Sequence, residues 1–315
     1  MFTPRTDLAL EMKEDLEQKQ GSMAGVRCEE ESVCQMQIIR IEVENETGAR
    51  NLGKPPGRYT TVRMHDVRTS EPDKFEEVTD ALSREIRALL PPRQDGSHAI
   101  LVAGLGNHDI TPDALGPAVC RNTVVTRHLK AYMPEFFSDE GLEDVSVITP
   151  GVLGQTGIES SDIIRGVVEK IRPRALLAID ALMARSVDNL ARTVQIADSG
   201  ITPGSGVKNA RATIDEKTLG IPVISIGVAT VVDAATLSAD IMAQVRGEDG
   251  GAAEQDAMHT ADAIRQALSP HEQNMIVTPK DIDRLITDAG KIIGFAINKA
   301  VHEGMKNSEI LQFLS

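Results

Sequence analysis

One stretch, residues 98–117 (HAILVAGLGNHDITPDALGP), constrains the fold more than any other part of the chain. Its apolar run AILVA at 99–103, bounded by glycine, is typical of a buried strand in a parallel sheet. The later sequence Thr111-Pro112-Asp113 predicts a helix start, with a hydroxyl N-cap, a proline and a first-turn carboxylate. Open α/β sheets bind ligands at such strand–loop–helix units. Asp113 is therefore a candidate site residue, or else an acid that only stabilises the helix dipole.

A second unit of the same kind lies further along the chain. The apolar run ALLAI at 175–179 predicts another buried strand, and this run ends on Asp180. Similar runs predict strands at 145–148, 194–197 and 223–228. Helical patterns separate the runs, so the sequence predicts an α/β fold: a mostly parallel twisted sheet with helices on both faces.

The N-terminal part predicts a smaller arrangement. Ile39, Ile41 and Val43 alternate with charged residues, which is the period of a half-exposed strand. A second strand is expected at 59–64, after a Pro-Gly turn. Together they predict a small antiparallel β excursion at about 36–66.

Other elements are predicted from caps, periodicity and composition. We expect a helix at 8–18, a loop at 21–32 whose acidic run is a solvated face, and a surface loop at 247–256. Three further helices are expected. The first spans 75–89, the second begins at a capping box formed by Thr156 and Glu159, and the third spans about 279–302 and is started by Thr278 and Asp281.

Charge and cysteine content exclude several classes of protein. The formal net charge of −14 repels a phosphate backbone, so no nucleic-acid partner is expected. Three ill-spaced cysteines (Cys28, Cys34 and Cys120) argue against a disulfide framework and a zinc site. No apolar run is long enough to span a membrane, and the N-terminus lacks the layout of a signal peptide. The sequence predicts a cytoplasmic protein without a membrane partner.

The glycine-rich loops match no nucleotide-binding motif. Gly104-x-Gly106 would need a third glycine where Asp109 stands, so the dinucleotide fingerprint fails. The GSGVK segment at 204–208 lacks the Walker order, and no G-x-S-x-G nucleophile motif is present.

The two strand-end acids remain as candidates for chemistry. Two carboxyl groups that share a water can hydrolyse an amide, one taking a proton and the other donating one. Asp113, at a helix N-terminus, is expected to be ionised and to act as the base. Asp180 leaves an apolar strand, so desolvation should raise its pKa and suit the acid. The two groups would titrate as a pair.

Seven blocks along the chain resemble the germination (spore) protease family of spore-forming bacteria, and more distantly the hydrogenase-maturation endopeptidases. The blocks are RTDLALE at 5–11, GKPPGRY at 53–59, GLGNHDITPDALGP at 104–117, TPGVLGQTGIES at 149–160, LLAIDALMAR at 176–185, DSGITPGSGVKN at 198–209 and IPVISIGVATVVDA at 221–234. Because they occur in order over most of the chain, the match is specific.

The resemblance implies an atypical aspartic-type endopeptidase that needs no cofactor and no metal. It implies a self-processing zymogen of the forespore and spore core that begins to degrade small acid-soluble spore proteins, its substrates, at germination. It also implies a homotetramer. The family's two essential aspartates fall on Asp113 and Asp180.

The same resemblance implies a short propeptide. The family cuts within the Arg-Thr-Asp-Leu-Ala block, which places the cut between Asp7 and Leu8. Residues 1–7 would then be the propeptide, and residues 8–315 a single α/β peptidase domain.

The glycine-rich segments at 151–157 and 200–206 have two interpretations, as tight turns or as walls of a substrate groove. The possible groove residues are Gly151, Gln155, Thr156, Gly204, Ser205 and Gly206.

Two other functions stay open at this point. In a metal-dependent peptidase of the hydrogenase-maturation type, the same two acids would be metal ligands. In a non-enzymatic nucleotide-binding module, a doubly wound sheet would bind the nucleotide, although the motifs for it are broken.

Overall fold

A sheet of nine strands organises the computed structural model, which describes residues 6–18, 21–64, 72–93, 99–204, 211–238, 241 and 275–315. The strands are β1 (Val26–Val33), β2 (Met36–Val43), β3 (Gly57–Arg63), β4 (Ala99–Gly104), β5 (Asp144–Ile148), β6 (Ala175–Ala184), β7 (Thr193–Ala197), β8 (Val223–Asp233) and β9 (Ile276–Val277). Their order across the sheet is β1-β2-β3-β7-β8-β6-β4-β5, and β9 pairs with β8.

Four adjacent strands on one side of the sheet, β8, β6, β4 and β5, are parallel to each other, whereas β7 pairs antiparallel with β8. β4 pairs in parallel with β5 and with β6, and β6 pairs in parallel with β8. Every residue of β4 and of β8 is buried, as their continuous apolar runs require for strands covered on both faces.

Helices cover both faces of the sheet, which confirms the predicted α/β class. The described α-helices include α1 (Ala9–Gln18), α2 (Glu46–Leu52), α3 (Pro72–Leu89), α4 (Leu115–Cys120), α5 (Arg127–Tyr132) and α6 (Pro134–Asp139), then α7 (Leu153–Thr156), α8 (Ser160–Ile171), α9 (Glu216–Leu219), α10 (Ile282–Val301) and α11 (Asn307–Leu314). Side chains of β4 and β6 alternate between the two faces. Ile100 and Leu177 pack in one cluster with residues of α3, α4 and α10, whereas Leu101 and Leu176 pack with Ile164 of α8.

The antiparallel excursion is present and is part of the main sheet. β1 pairs with β2, β2 with β3, and β3 with β7, all antiparallel. The prediction of a loop at 21–32 is wrong, because residues 26–33 form the edge strand β1. Its pairing with β2 outweighs the poor strand propensity of three consecutive glutamates. Those glutamates are exposed, so the predicted solvated face is confirmed.

Other predicted boundaries also differ. Thr156 does not open a helix: it ends α7, and α8 begins at Ser160 after the left-handed Gly157. The Thr156 hydroxyl instead donates to the Ile158 carbonyl, 2.9 Å away. The predicted C-terminal helix is present as α10, and the predicted loop at 247–256 lies outside the described residues.

Within the described ranges, the helices are too short or too polar to cross a lipid bilayer.

Candidate active site

Asp113 is positioned by a tight turn and not by an α-helix. A single turn of 3₁₀ helix spans Thr111–Asp113 with Ile110 at its N-cap, so Thr111 is not the predicted cap, and the α-helix α4 starts only at Leu115. The chain folds back after β4, and the backbone N–H of Asn107 donates to Asp113 Oδ2 at 2.8 Å. Thr230 on β8 fixes the turn from the other side, because its hydroxyl donates to the Pro112 carbonyl at 3.0 Å.

The loop before this turn requires glycine. Leu105 N donates to the Ile179 carbonyl at 2.8 Å, which ties the loop to β6. The next residue, Gly106, has φ +100°, a conformation that L side chains rarely adopt. A Cβ there would lie 2.0 Å from the backbone oxygen of Asp113. The loop can approach Asp113 this closely only without a side chain.

The sequence predicts that Asp180 ends its strand. In the structure, Asp180 lies within β6. β4 ends at Gly104, opposite Ile179, whereas β6 continues to Ala184 beside β8. Asp180 is therefore the first residue of β6 beyond the end of β4, at the edge where the Asp113 loop crosses. Its neighbour in β8 is Gly227, where a Cβ would lie 2.7 Å from the Asp180 backbone oxygen.

The pKa of both carboxyl groups is raised, and that of Asp180 is raised more strongly. Burial raises the pKa of Asp180 well above its ordinary value, and the negative charges of Asp113 and Asp7 raise it further, while the Ala181 N–H opposes this. Burial also raises the pKa of Asp113, and the Asn107 N–H opposes it. The expected lowering of the Asp113 pKa by a helix dipole is thus wrong in direction, but Asp180 is still the carboxyl group that keeps its proton more readily.

Both aspartates line one cavity of about 1000 Å³. Of the predicted groove residues, Gly204 lines this cavity, and Ser205 and Gly206 lie outside the described residues. Gly151, Gln155 and Thr156 are adjacent to two lining residues in the same loop, Val152 and Leu153. The Gln155 side chain is bonded to the loop that follows β4: its Nε2 donates to Asn107 Oδ1 at 2.6 Å and to Asp109 Oδ2 at 3.0 Å.

The N-terminal segment also enters this cavity. Asp7 lines it, and Leu8 beside it is fully buried. Lys54 and Gln195 contact this segment, and sequence reasoning missed both as functional residues. Two signals could have found them: Lys54 belongs to the block GKPPGRY, and Gln195 is the polar residue in the otherwise apolar run VQIA at 194–197.

Neither His108 nor Cys120 is placed for catalysis. His108 is exposed and lies 3.0 Å from the equally exposed Asp109. Cys120 is buried in α4, and burial raises the pKa of its thiol to about 12, so it is not a nucleophile. The part of the chain that is described contains no group of three or more His, Cys, Asp or Glu side chains placed to hold a metal ion.

Comparison with known proteins gives consistent matches along the chain. The family model described as germination protease matches residues 4–257 and 250–314. A germination protease from Caldanaerobacter subterraneus is 41% identical over 98% of this chain and 98% of its own length. One from Clostridium tetani is 41% identical over 99% of each chain, and one from Geobacillus is 37% identical over 96% of this chain and 95% of its own.

A solved structure gives a weaker match. A [NiFe] hydrogenase maturation protease from Thermococcus kodakarensis aligns with 57% of this chain and 96% of its own, at 16% identity and a TM-score of 0.30. This similarity is too low to support a conclusion about the site.

Proposed function

Because this chain belongs to the germination protease family and is a peptidase, we propose that it is the endopeptidase that begins the degradation of small acid-soluble spore proteins at germination. We further propose that it is a homotetrameric zymogen of the forespore and spore core that removes its own residues 1–7. The seven sequence blocks that resemble this family support these finer assignments.

One observation carries the proposed chemistry: Asp113 and Asp180 line the same cavity, and the charge of Asp113 raises the pKa of Asp180. Carboxyl groups that influence each other in this way can share one proton and one water. Gly106 leaves room for its loop beside the Asp113 backbone, and Gly227 leaves room for β8 beside the Asp180 backbone.

The proposed mechanism is general acid–base hydrolysis without a covalent intermediate. Ionised Asp113 takes a proton from a water that attacks the peptide carbonyl carbon, and protonated Asp180 donates a proton to the leaving nitrogen. The order of the pKa values supports these roles, since Asp180 holds its proton to higher pH than Asp113. Such proton transfers contribute roughly 10²–10⁴-fold to a rate.

A digestion assay tests this function and separates it from a metal-dependent peptidase. Purified full-length protein should cut a purified small acid-soluble spore protein into a few defined fragments, as measured by mass spectrometry, and cutting should continue in excess EDTA. A nucleotide-binding module would leave the substrate intact. Complete loss of cutting with EDTA, with recovery on adding one metal ion, would instead support the two acids as metal ligands.

Self-cleavage should accelerate as the pH falls from alkaline to mildly acidic. The pKa of Asp180 is raised, so lowering the pH from alkaline to mildly acidic increases the fraction of Asp180 that is protonated and able to donate. N-terminal sequencing and intact mass over a pH series measure the cut between Asp7 and Leu8. A flat or inverted profile contradicts the proposal.

A further inference from the structure

The chain before α1 lies along β6 like a bound peptide. Asp7 N donates to the Met183 carbonyl at 2.8 Å, and Met183 N donates to Asp7 Oδ2 at 2.9 Å. Leu8 is fully buried in an apolar cluster that includes Leu182. The peptide bond between Asp7 and Leu8 is therefore held on both sides, and Asp7 lines the cavity that Asp180 also lines.

The carbonyl oxygen of Asp7 accepts two side-chain hydrogen bonds. Lys54 Nζ donates to it at 2.9 Å, and Gln195 Nε2 donates at 3.0 Å. The same Gln195 side chain accepts from Ala9 N at 2.7 Å through its Oε1. Gln195 thus binds the main chain on both sides of Leu8 and fixes the orientation of the Asp7–Leu8 peptide group.

The charged form of Lys54 is destabilised by burial at this position. Burial lowers the pKa of its ammonium group, and the negative charge of Asp7 offsets this only in part. Gln195 is on the central strand β7, and Lys54 is in the turn before β3, which pairs with β7. Both donors are therefore attached to the sheet and are in place before any reaction begins.

We propose that Lys54 and Gln195 form an oxyanion-binding pair, which holds the carbonyl oxygen of the residue before the bond that is cut. The inference rests on the proposed function, because it takes the Asp7–Leu8 bond as the first substrate. In later turnovers, the carbonyl of a spore-protein residue occupies the same position. Donors aimed at an oxygen that becomes negative in the transition state stabilise it more than they stabilise the ground state.

In the proposed hydrolysis of the Asp7–Leu8 bond, every bond and every proton is accounted for. Water oxygen bonds to the Asp7 carbonyl carbon, its proton passes to Asp113, and the carbonyl oxygen becomes an oxyanion between Lys54 and Gln195. The carbon–nitrogen bond to Leu8 then breaks as Asp180 gives its proton to the nitrogen. The proton on Asp113 returns to Asp180, and the products are the carboxyl group of Asp7 and the amine of Leu8.

The test is the first-order rate of self-cleavage in the full-length chain, followed by intact mass. Lys54→Met removes the charged donor and keeps the side-chain length, and we expect the rate to fall about 100-fold. Gln195→Glu removes the amide donor but can still accept from Ala9, and it should also slow cleavage. Lys54→Arg should retain more of the rate than Lys54→Met. The exposed lysine variant Lys170→Met is the matched control and should cleave at the wild-type rate.

A second measurement separates chemistry from docking. Amide hydrogen exchange at Met183 and Ala9 reports whether the segment stays bound, because both amides bond within this arrangement. We expect wild-type protection in Lys54→Met despite slow cleavage. Unchanged cleavage, or slow cleavage together with lost protection, would overturn the oxyanion role.

Failure of the proposed self-processing would look different. In that case the wild-type chain itself would not be cut between Asp7 and Leu8. The pair is then tested on digestion of a small acid-soluble spore protein, where Lys54→Met should lower kcat about 100-fold with little change in KM. An unchanged kcat there would overturn the inference.

Discussion

Replacing Asp180 or Asp113 with asparagine is expected to reduce peptide-bond hydrolysis on the order of 10³-fold without unfolding the protein. Asparagine keeps the shape of the side chain, and its Oδ1 can still accept the backbone N–H of Ala181 or Asn107. It can neither take a proton from water nor donate one to the leaving nitrogen. Initial rates on a small acid-soluble spore protein and the self-cleavage rate both measure the loss.

The matched control is Asp139→Asn, the same chemical change on an exposed helix residue, which should leave both rates unchanged. Wild-type activity in either purified Asp180→Asn or Asp113→Asn would remove that residue from the catalytic pair. Equal loss in the control would mean that a general effect of charge is being measured.

The same Asp180 variant should be more stable than the wild type at neutral pH. A carboxyl group whose pKa is raised in the folded state binds fewer protons in the unfolded state, so its contribution to stability falls as the pH rises above its ordinary pKa. Asparagine does not titrate. The melting temperature of Asp180→Asn should therefore exceed that of the wild type at pH about 7, and the difference should shrink toward pH about 4. Lost activity with gained stability is typical of a group retained for function.

Gly106→Ala should impair both stability and activity. The new Cβ would lie 2.0 Å from the Asp113 backbone oxygen, and φ +100° is unfavourable for alanine. Relief of this clash must move the loop or Asp113. We expect the free energy of unfolding to fall by roughly 2–4 kcal/mol. Activity should fall on the order of 100-fold, since a catalytic group displaced by about 1 Å loses its alignment.

Gly141→Ala separates the two causes. Gly141 also has a positive φ, +61°, but no atom lies within 4 Å of the position that its Cβ would take. This variant should lose only about 1–2 kcal/mol for the strained backbone and keep full activity. If Gly106→Ala matches Gly141→Ala in both measurements, the close approach of the loop to Asp113 has no functional role.

The central strands could be predicted from sequence because each is a continuous apolar run with its own local signal. The position of Asp180 within its strand could not. Residues 181–184 continue β6 only because β8 is long enough to pair with them. Similarly, β1 is a strand because β2 lies beside it, although its glutamates favour other conformations.

Part of the candidate site could also be predicted from local sequence patterns. Asp113 and Asp180 each follow an apolar strand, so a local pattern marks them. Lys54 and Gln195 do not follow an apolar strand in this way, and the hydrogen bonds that place them beside Asp7 span 47 and 188 positions of the chain. Contacts of this kind depend on topology, which a single sequence does not reveal directly.

The edge strand β1 has a consequence for the protein in concentrated solution. An open edge presents unpaired backbone groups on which a strand from a neighbouring molecule can be added. Glu29, Glu30 and Glu31 bring negative charges to this edge, and two such edges brought together would repel each other. We expect the acidic run to oppose growth of the sheet into intermolecular aggregates, although Glu30 and Glu31 also pair with Lys13 and Arg40, and neutral β-branched residues at these positions should weaken that opposition.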